Sequence, residues 1–122
     1  MSAALNTTDY KQLTTAITGN MRKLKAGVPD VIAGFNAMGK AALAPGVLDA
    51  KTKELIALAI GVAARCDGCL GFHTQALARL GATREEVNEM LGVAVYMGGG
   101  PSLMYAANAV AAFDEALGAQ AQ

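Results

Sequence analysis

The chain has no tryptophan, and three tyrosines and three phenylalanines are its only aromatic side chains among 122 residues. A core without large aromatic wedges has to close by bringing helices together over small side chains, and the 26 alanines supply them. Net charge is also missing, since ten basic residues cancel ten acidic ones. The densest basic grouping is Arg22, Lys23 and Lys25, too sparse for an electrostatic footprint on nucleic acid. No apolar run approaches the roughly 20 residues that cross a bilayer. The longest, Leu55 to Ala64, has ten. The stretch from Leu91 to Phe113 is interrupted by Gly98-Gly99-Gly100-Pro101 and carries Ser102 and Asn108, so no membrane span is expected. The opening MSAALNTTDYKQL has neither a basic nor an apolar leader region, which gives the expectation of a cytoplasmic protein. No alternating strand pattern and no internal repeat is present, and the glycine triplet lacks the strand-then-helix setting of a nucleotide loop.

What is present is apolar and helical. Hydrophobic residues make up 53% of the chain and charged ones 16%, enough for one well-buried domain spanning residues 1–122, and more apolar surface than a monomer of this size comfortably hides. A homo-oligomer is expected. Leu13, Ile17, Met21 and Leu24 mark a first amphipathic helix from Asp9 to Ala26, stopped by Gly27. Pro29 opens a second, through Val31, Ile32, Phe35 and Met38 to Leu43, before Pro45-Gly46. Asp49 caps a third that is apolar on every side from Leu55 to Ala64 and is expected to be the central buried element. A fourth starts near Cys66 or Asp67 and ends at Leu80-Gly81. Thr83 and Glu86 form a capping box that opens the fifth. Pro101 opens a sixth, Ser102 to about Leu117, with a fraying tail. Tyr96, Met104 and Tyr105 are expected in core or interface packing rather than in a site. The fold class is an all-α bundle of about six helices.

The chemistry-bearing residues converge on one segment. The two cysteines, Cys66 and Cys69, are two residues apart, a spacing that closes a disulfide across a helix's first turn with little backbone movement. Unpaired amides at a helix N-terminus favour the thiolate over the thiol. His73, the single histidine, follows Cys69 by four residues and Cys66 by seven, so all three share a helical face. Its imidazole can take a thiol proton or, protonated, hold a thiolate. Glu54 lies near the start of the apolar third helix, where a carboxylate is costly unless its charge is used. Folding the third and fourth helices back antiparallel leaves an axial gap of roughly 7–8 Å between Glu54 and His73, to be closed by two long side chains or a water.

Glu54, then Cys66-Asp67-Gly68-Cys69 twelve residues on, then His73, a helix, a glycine-rich break and a helix bearing Met104-Tyr105-Ala106-Ala107 together resemble the alkylhydroperoxidase D-like branch of the carboxymuconolactone decarboxylase superfamily, over about residues 30–117. The resemblance implies a helical fold assembling into trimers or hexamers. It also implies peroxidase or disulfide-reductase chemistry in which Cys66 and Cys69 cycle between dithiol and disulfide, with Glu54 and His73 as the proton relay. No cofactor is implied beyond the dithiol. The implied reductant is an external dithiol such as a lipoyl group on an acyltransferase subunit. The chain departs from the peroxidase members at Gly68, where they carry a second histidine, and the dithiol itself argues against ring decarboxylation.

The expected function is therefore a thiol-dependent antioxidant protein acting on a peroxide or a disulfide, with either cysteine as first nucleophile. Two alternatives stay open: a metal-binding helical module in which Cys66, Cys69, His73 and Glu54 surround a zinc ion, and a cofactor-free enzyme of the carboxymuconolactone decarboxylase type, which would not need the thiols.

Overall fold

A computed structural model describes residues 8–121. Among the described residues there are six helices and no strand: α1 (Tyr10–Gly27), α2 (Pro29–Leu43), α3 (Ala50–Ala63), α4 (Asp67–Arg79), α5 (Arg84–Gly98) and α6 (Gly100–Gln120). The expected boundaries hold within a few residues, because the caps that set them are real. Asp9 accepts from the Gln12 amide at 2.9 Å and Asp49 from the Thr52 amide at 2.7 Å. The Thr83–Glu86 box closes in both directions, at 2.8 and 3.1 Å. Gly99, at φ 72°, adopts a backbone closed to most side chains and lets α6 start at once. The expected fraying after Leu117 is not seen, since α6 runs to Gln120; Gln122 and the first seven residues lie outside the described part.

α4 is the hub, packed on α6, α3 and α1. The reason lies in α6, whose buried positions Ala106, Ala109, Ala112 and Ala116 surround Phe113. Four alanines let the two axes approach, and Phe113, Leu58, Leu70, Leu77, Val62 and Val87 fill the space left, all fully buried. Burying each of these side chains is worth about 1.5–3 kcal/mol. Thr74, also buried, returns its hydroxyl to the Leu70 carbonyl at 2.6 Å, so no polar group is orphaned there.

α1 is fastened across this hub at two places. The Glu115 carboxylate of α6 accepts from the Tyr10 and Lys11 amides at 3.0 and 2.7 Å, satisfying two of the open donors at the start of α1. Farther along, α1 lies directly on α4. A Cβ at position 71 would stand 2.5 Å from Thr14 Cγ2, and one at position 68 would stand 2.8 Å from Ile17 Cδ1. Gln75 completes the seam by donating to Thr14 Oγ1 at 3.1 Å.

One expectation needs correction. α3 is not buried on all sides: Glu54, Leu58, Gly61 and Val62 face inward, while Ile56 and Ile60 are 44% and 62% exposed. Tyr105 packs against the core, whereas Tyr96 and Met104 point outward, at 85% and 60% exposure, which leaves interface packing as the part of that expectation open to them. α2 buries none of its side chains and meets only α1 and α3. One chain has too few helices to cover these faces, so an apolar pattern alone overstated what is buried within it. No helix among the described residues is long and apolar enough to cross a membrane.

Candidate active site

α3 ends in a tight reversal that delivers the first cysteine. The Cys66 amide donates to the Gly61 carbonyl at 3.0 Å and the Arg65 amide to the Val62 carbonyl at 3.1 Å, the paired bonds of a Schellman stop. Arg65 occupies the left-handed position at φ 56° where glycine is usual, at a cost of about 1–2 kcal/mol. Cys66 is then the N-cap of α4, its Sγ accepting from the Cys69 amide at 3.1 Å. Cys66 and Cys69 form a disulfide with Cα atoms 5.2 Å apart. The pair thus sits where the amides at the start of α4 are unpaired, the position that favours a thiolate once the bond is reduced. Both cysteines are half-buried.

The antiparallel run of α3 against α4 sets the rest. Gly61 faces Cys69 so closely that a Cβ on it would lie 2.9 Å from Cys69 Cβ. Two turns back along α3, Glu54 Oε1 meets His73 Nδ1 at 2.6 Å. The contact is direct, so the two side chains close the axial gap themselves without a bridging water. Glu54 is buried, and its side chain is 11% exposed against 26% for His73. The carboxylate is therefore committed to the ring: it holds the imidazole in one orientation through Nδ1 and leaves Nε2 to exchange a proton. Cys66, Cys69 and His73 follow one face of α4 at intervals of three and four residues. The structure thus pairs Glu54 with His73 and Cys66 with Cys69 on the α3–α4 helix pair, and it shows Glu54 to be a buried partner rather than a solvated first-turn acid. Among the described residues no group of three or more His, Cys, Asp or Glu side chains is placed to hold a metal ion.

Three contributors escaped the sequence reading. Gly61 had a signal, a lone glycine inside an apolar helix, which often marks close backbone approach. Ile17 had none, as it reads only as one apolar position of an amphipathic helix. Arg65 had none either, since arginine carries no turn signature.

A six-helix fold that carries a histidine–carboxylate pair and a C-x-x-C disulfide on one helix pair can be set against known proteins. The family model described as the carboxymuconolactone decarboxylase family matches residues 29–112, and the chain belongs to that family. An uncharacterised protein of Cupriavidus necator is 44% identical over 108 residues, covering 88% of this chain and 96% of that protein. A Paracoccus denitrificans protein, uncharacterised protein 4 of a cox locus, is 35% identical over 86% of this chain and 92% of its own length. Among solved structures, a carboxymuconolactone decarboxylase family protein from Legionella pneumophila superposes with a TM-score of 0.86 at 53% identity, covering 88% of this chain and 96% of that one. A Thermotoga maritima family protein with a suggested involvement in antioxidative response gives a TM-score of 0.69 at 32% identity, over 74% and 93% of the two chains.

Proposed function

We propose that this chain is a thiol-dependent antioxidant oxidoreductase in which Cys66 and Cys69 reduce a disulfide or a peroxide. The observation that carries the reading is the 2.6 Å Glu54–His73 hydrogen bond, made on the helix pair that holds the dithiol. Glu54 positions the ring, His73 takes the proton of the attacking thiol, and the start of α4 stabilises the thiolate. Attack on a substrate disulfide gives a mixed disulfide and one released thiol. The second cysteine displaces the other thiol, and two electrons pass to the substrate as the Cys66–Cys69 bond forms. Attack on a peroxide gives a sulfenic acid and an alcohol, and condensation with the second cysteine releases water. Packing at Gly68 favours the disulfide arm. Ile17 fills the space over that position, so no second histidine stands there, and Asp67 is the one proton-carrying side chain between the cysteines.

The test is to reduce the protein, add one equivalent of hydroperoxide or of a small disulfide, and follow alkylation by mass spectrometry. Rapid closure of the Cys66–Cys69 bond, reopened by dihydrolipoamide as an external dithiol, is expected. Thiols inert to both oxidants would overturn the reading, as would a lactone-processing activity retained after both cysteines become serine.

The same proposal includes self-association into a trimer or hexamer. It is supported by α2, where Val31, Phe35 and Met38 are 66%, 64% and 62% exposed on a helix with no buried residue. Ile60, Val93 and Met97 add a second apolar hollow between α3 and α5. Such surface is ordinarily covered.

A further inference from the structure

α1 precedes the region matched by the family model, which begins at residue 29, yet it does more than brace α4. Lys11, Thr15, Thr18 and Arg22 recur at intervals of four, three and four residues, so they share one face of α1. That face forms one wall of an open groove of about 280 Å³, whose other wall is Phe72 and Gln75 of α4. The groove carries two cations and hydroxyl groups, and no acidic side chain lines it. Glu115, which shares a hollow with Lys11, has both oxygens engaged by the Tyr10 and Lys11 amides.

The groove wall comes within one helical turn of Cys69. Phe72 follows Cys69 by three residues, which puts it about 60° around the α4 axis and about 4.5 Å farther along. Thr18 is the neighbour of Ile17, the residue seated on Gly68 between the two cysteines. Lys11 and Arg22 are separated by about 16 Å of helix, so the wall suits an elongated molecule.

We infer that this groove binds the anionic tail of the substrate, and that the substrate is a small disulfide bearing carboxylates. Lys11 and Arg22 pair with the tail, Thr15 and Thr18 donate to it, Phe72 covers its methylenes, and the disulfide sulfur is presented to Cys69 or Cys66. The inference rests on the oxidoreductase reading above. The redox step is the one already described: the substrate S–S bond breaks, the Cys66–Cys69 bond forms, and two substrate thiols leave.

Two measurements test it. On the oxidised protein, which cannot react, titration with 3,3′-dithiodipropionate is followed by amide NMR. Shifts at Thr15, Thr18 and Phe72 are expected, and they should vanish in the Lys11→Gln/Arg22→Gln double variant. On the reduced protein, oxidation by the same dicarboxylate is compared with oxidation by the uncharged bis(2-hydroxyethyl) disulfide. The double variant should lose about tenfold in rate with the dicarboxylate and nothing with the diol, and added salt should mimic the loss. Absent shifts, shifts that survive in the variant, or equal rate losses with both disulfides overturn the groove. Thiols inert to both disulfides overturn the disulfide arm of the oxidoreductase reading, while the shifts on the oxidised protein still decide the groove.

Discussion

Replacing Gly61 with alanine tests the packing on which the site depends. The added methyl would stand 2.9 Å from Cys69 Cβ, against the 3.5–4.0 Å or so of ordinary carbon contact. Cys69 Cβ is anchored one bond from the α4 backbone and cannot swing aside, so α3 and α4 must separate locally by roughly 0.6–1 Å. Overpacking of this kind costs about 1–3 kcal/mol. Alanine recovers about 0.5–1 kcal/mol over glycine in a helix. The net expectation is a loss of about 0–2.5 kcal/mol, or up to roughly 12 °C in melting temperature for a domain of this size. Gly19→Ala in α1 is the control, because a Cβ there meets nothing within 4 Å, and it should gain about 0.5–1 kcal/mol. Thermal unfolding followed by circular dichroism, with the disulfide intact, gives both values. Separation of the helices also lengthens the Glu54–His73 bond, so reduced Gly61→Ala should react more slowly with a small disulfide. A Gly61→Ala protein as stable as Gly19→Ala, reacting at the parent rate, would refute the close α3–α4 contact.

Further outcomes follow from the same geometry. His73→Ala should slow dithiol oxidation by about 10²–10⁴-fold. Glu54→Gln keeps a hydrogen bond to Nδ1 without the charge, and it should cost less and displace the pH–rate profile; an unchanged profile would remove Glu54 as a positioning residue. Hydrogen bonds from the Lys51 ammonium first, and from the Thr83 amide second, hold the Glu86 carboxyl below the usual glutamate range. A carboxyl lowered on folding contributes stability above its unfolded pKa and loses it as pH falls through the folded value. The melting-temperature gap between the parent and Glu86→Gln should therefore be open at about pH 6 and close toward about pH 3. A gap that does not change with pH would refute the ion pair's role. Phe35→Glu places a charge on the exposed face of α2 and should shift the protein toward smaller species in light scattering, with helicity retained; an unchanged mass would refute self-association through that face.

The helices, and the residues able to carry chemistry, were legible along the chain alone. Caps are local, so Asp9, Asp49 and the Thr83–Glu86 box could be read in order along the chain. The dithiol and His73 lie within a single helix, where 3.6 residues per turn places them without knowledge of anything else. Glu54 was legible as a carboxylate in an apolar run and, through the family resemblance, as a partner for His73, but not as a direct contact. Its partner came into reach because Gly61 lets α3 press on α4, a fact about two helices rather than one. Which face of α3 is buried, why glycine stands at position 68, and what α1 does beside the dithiol were likewise decided by tertiary packing. Ile17, Thr14 and Glu115 act on residues as many as 105 positions away. Local spacing encodes direction around one helix axis, and it carries no information about which other helix is waiting there.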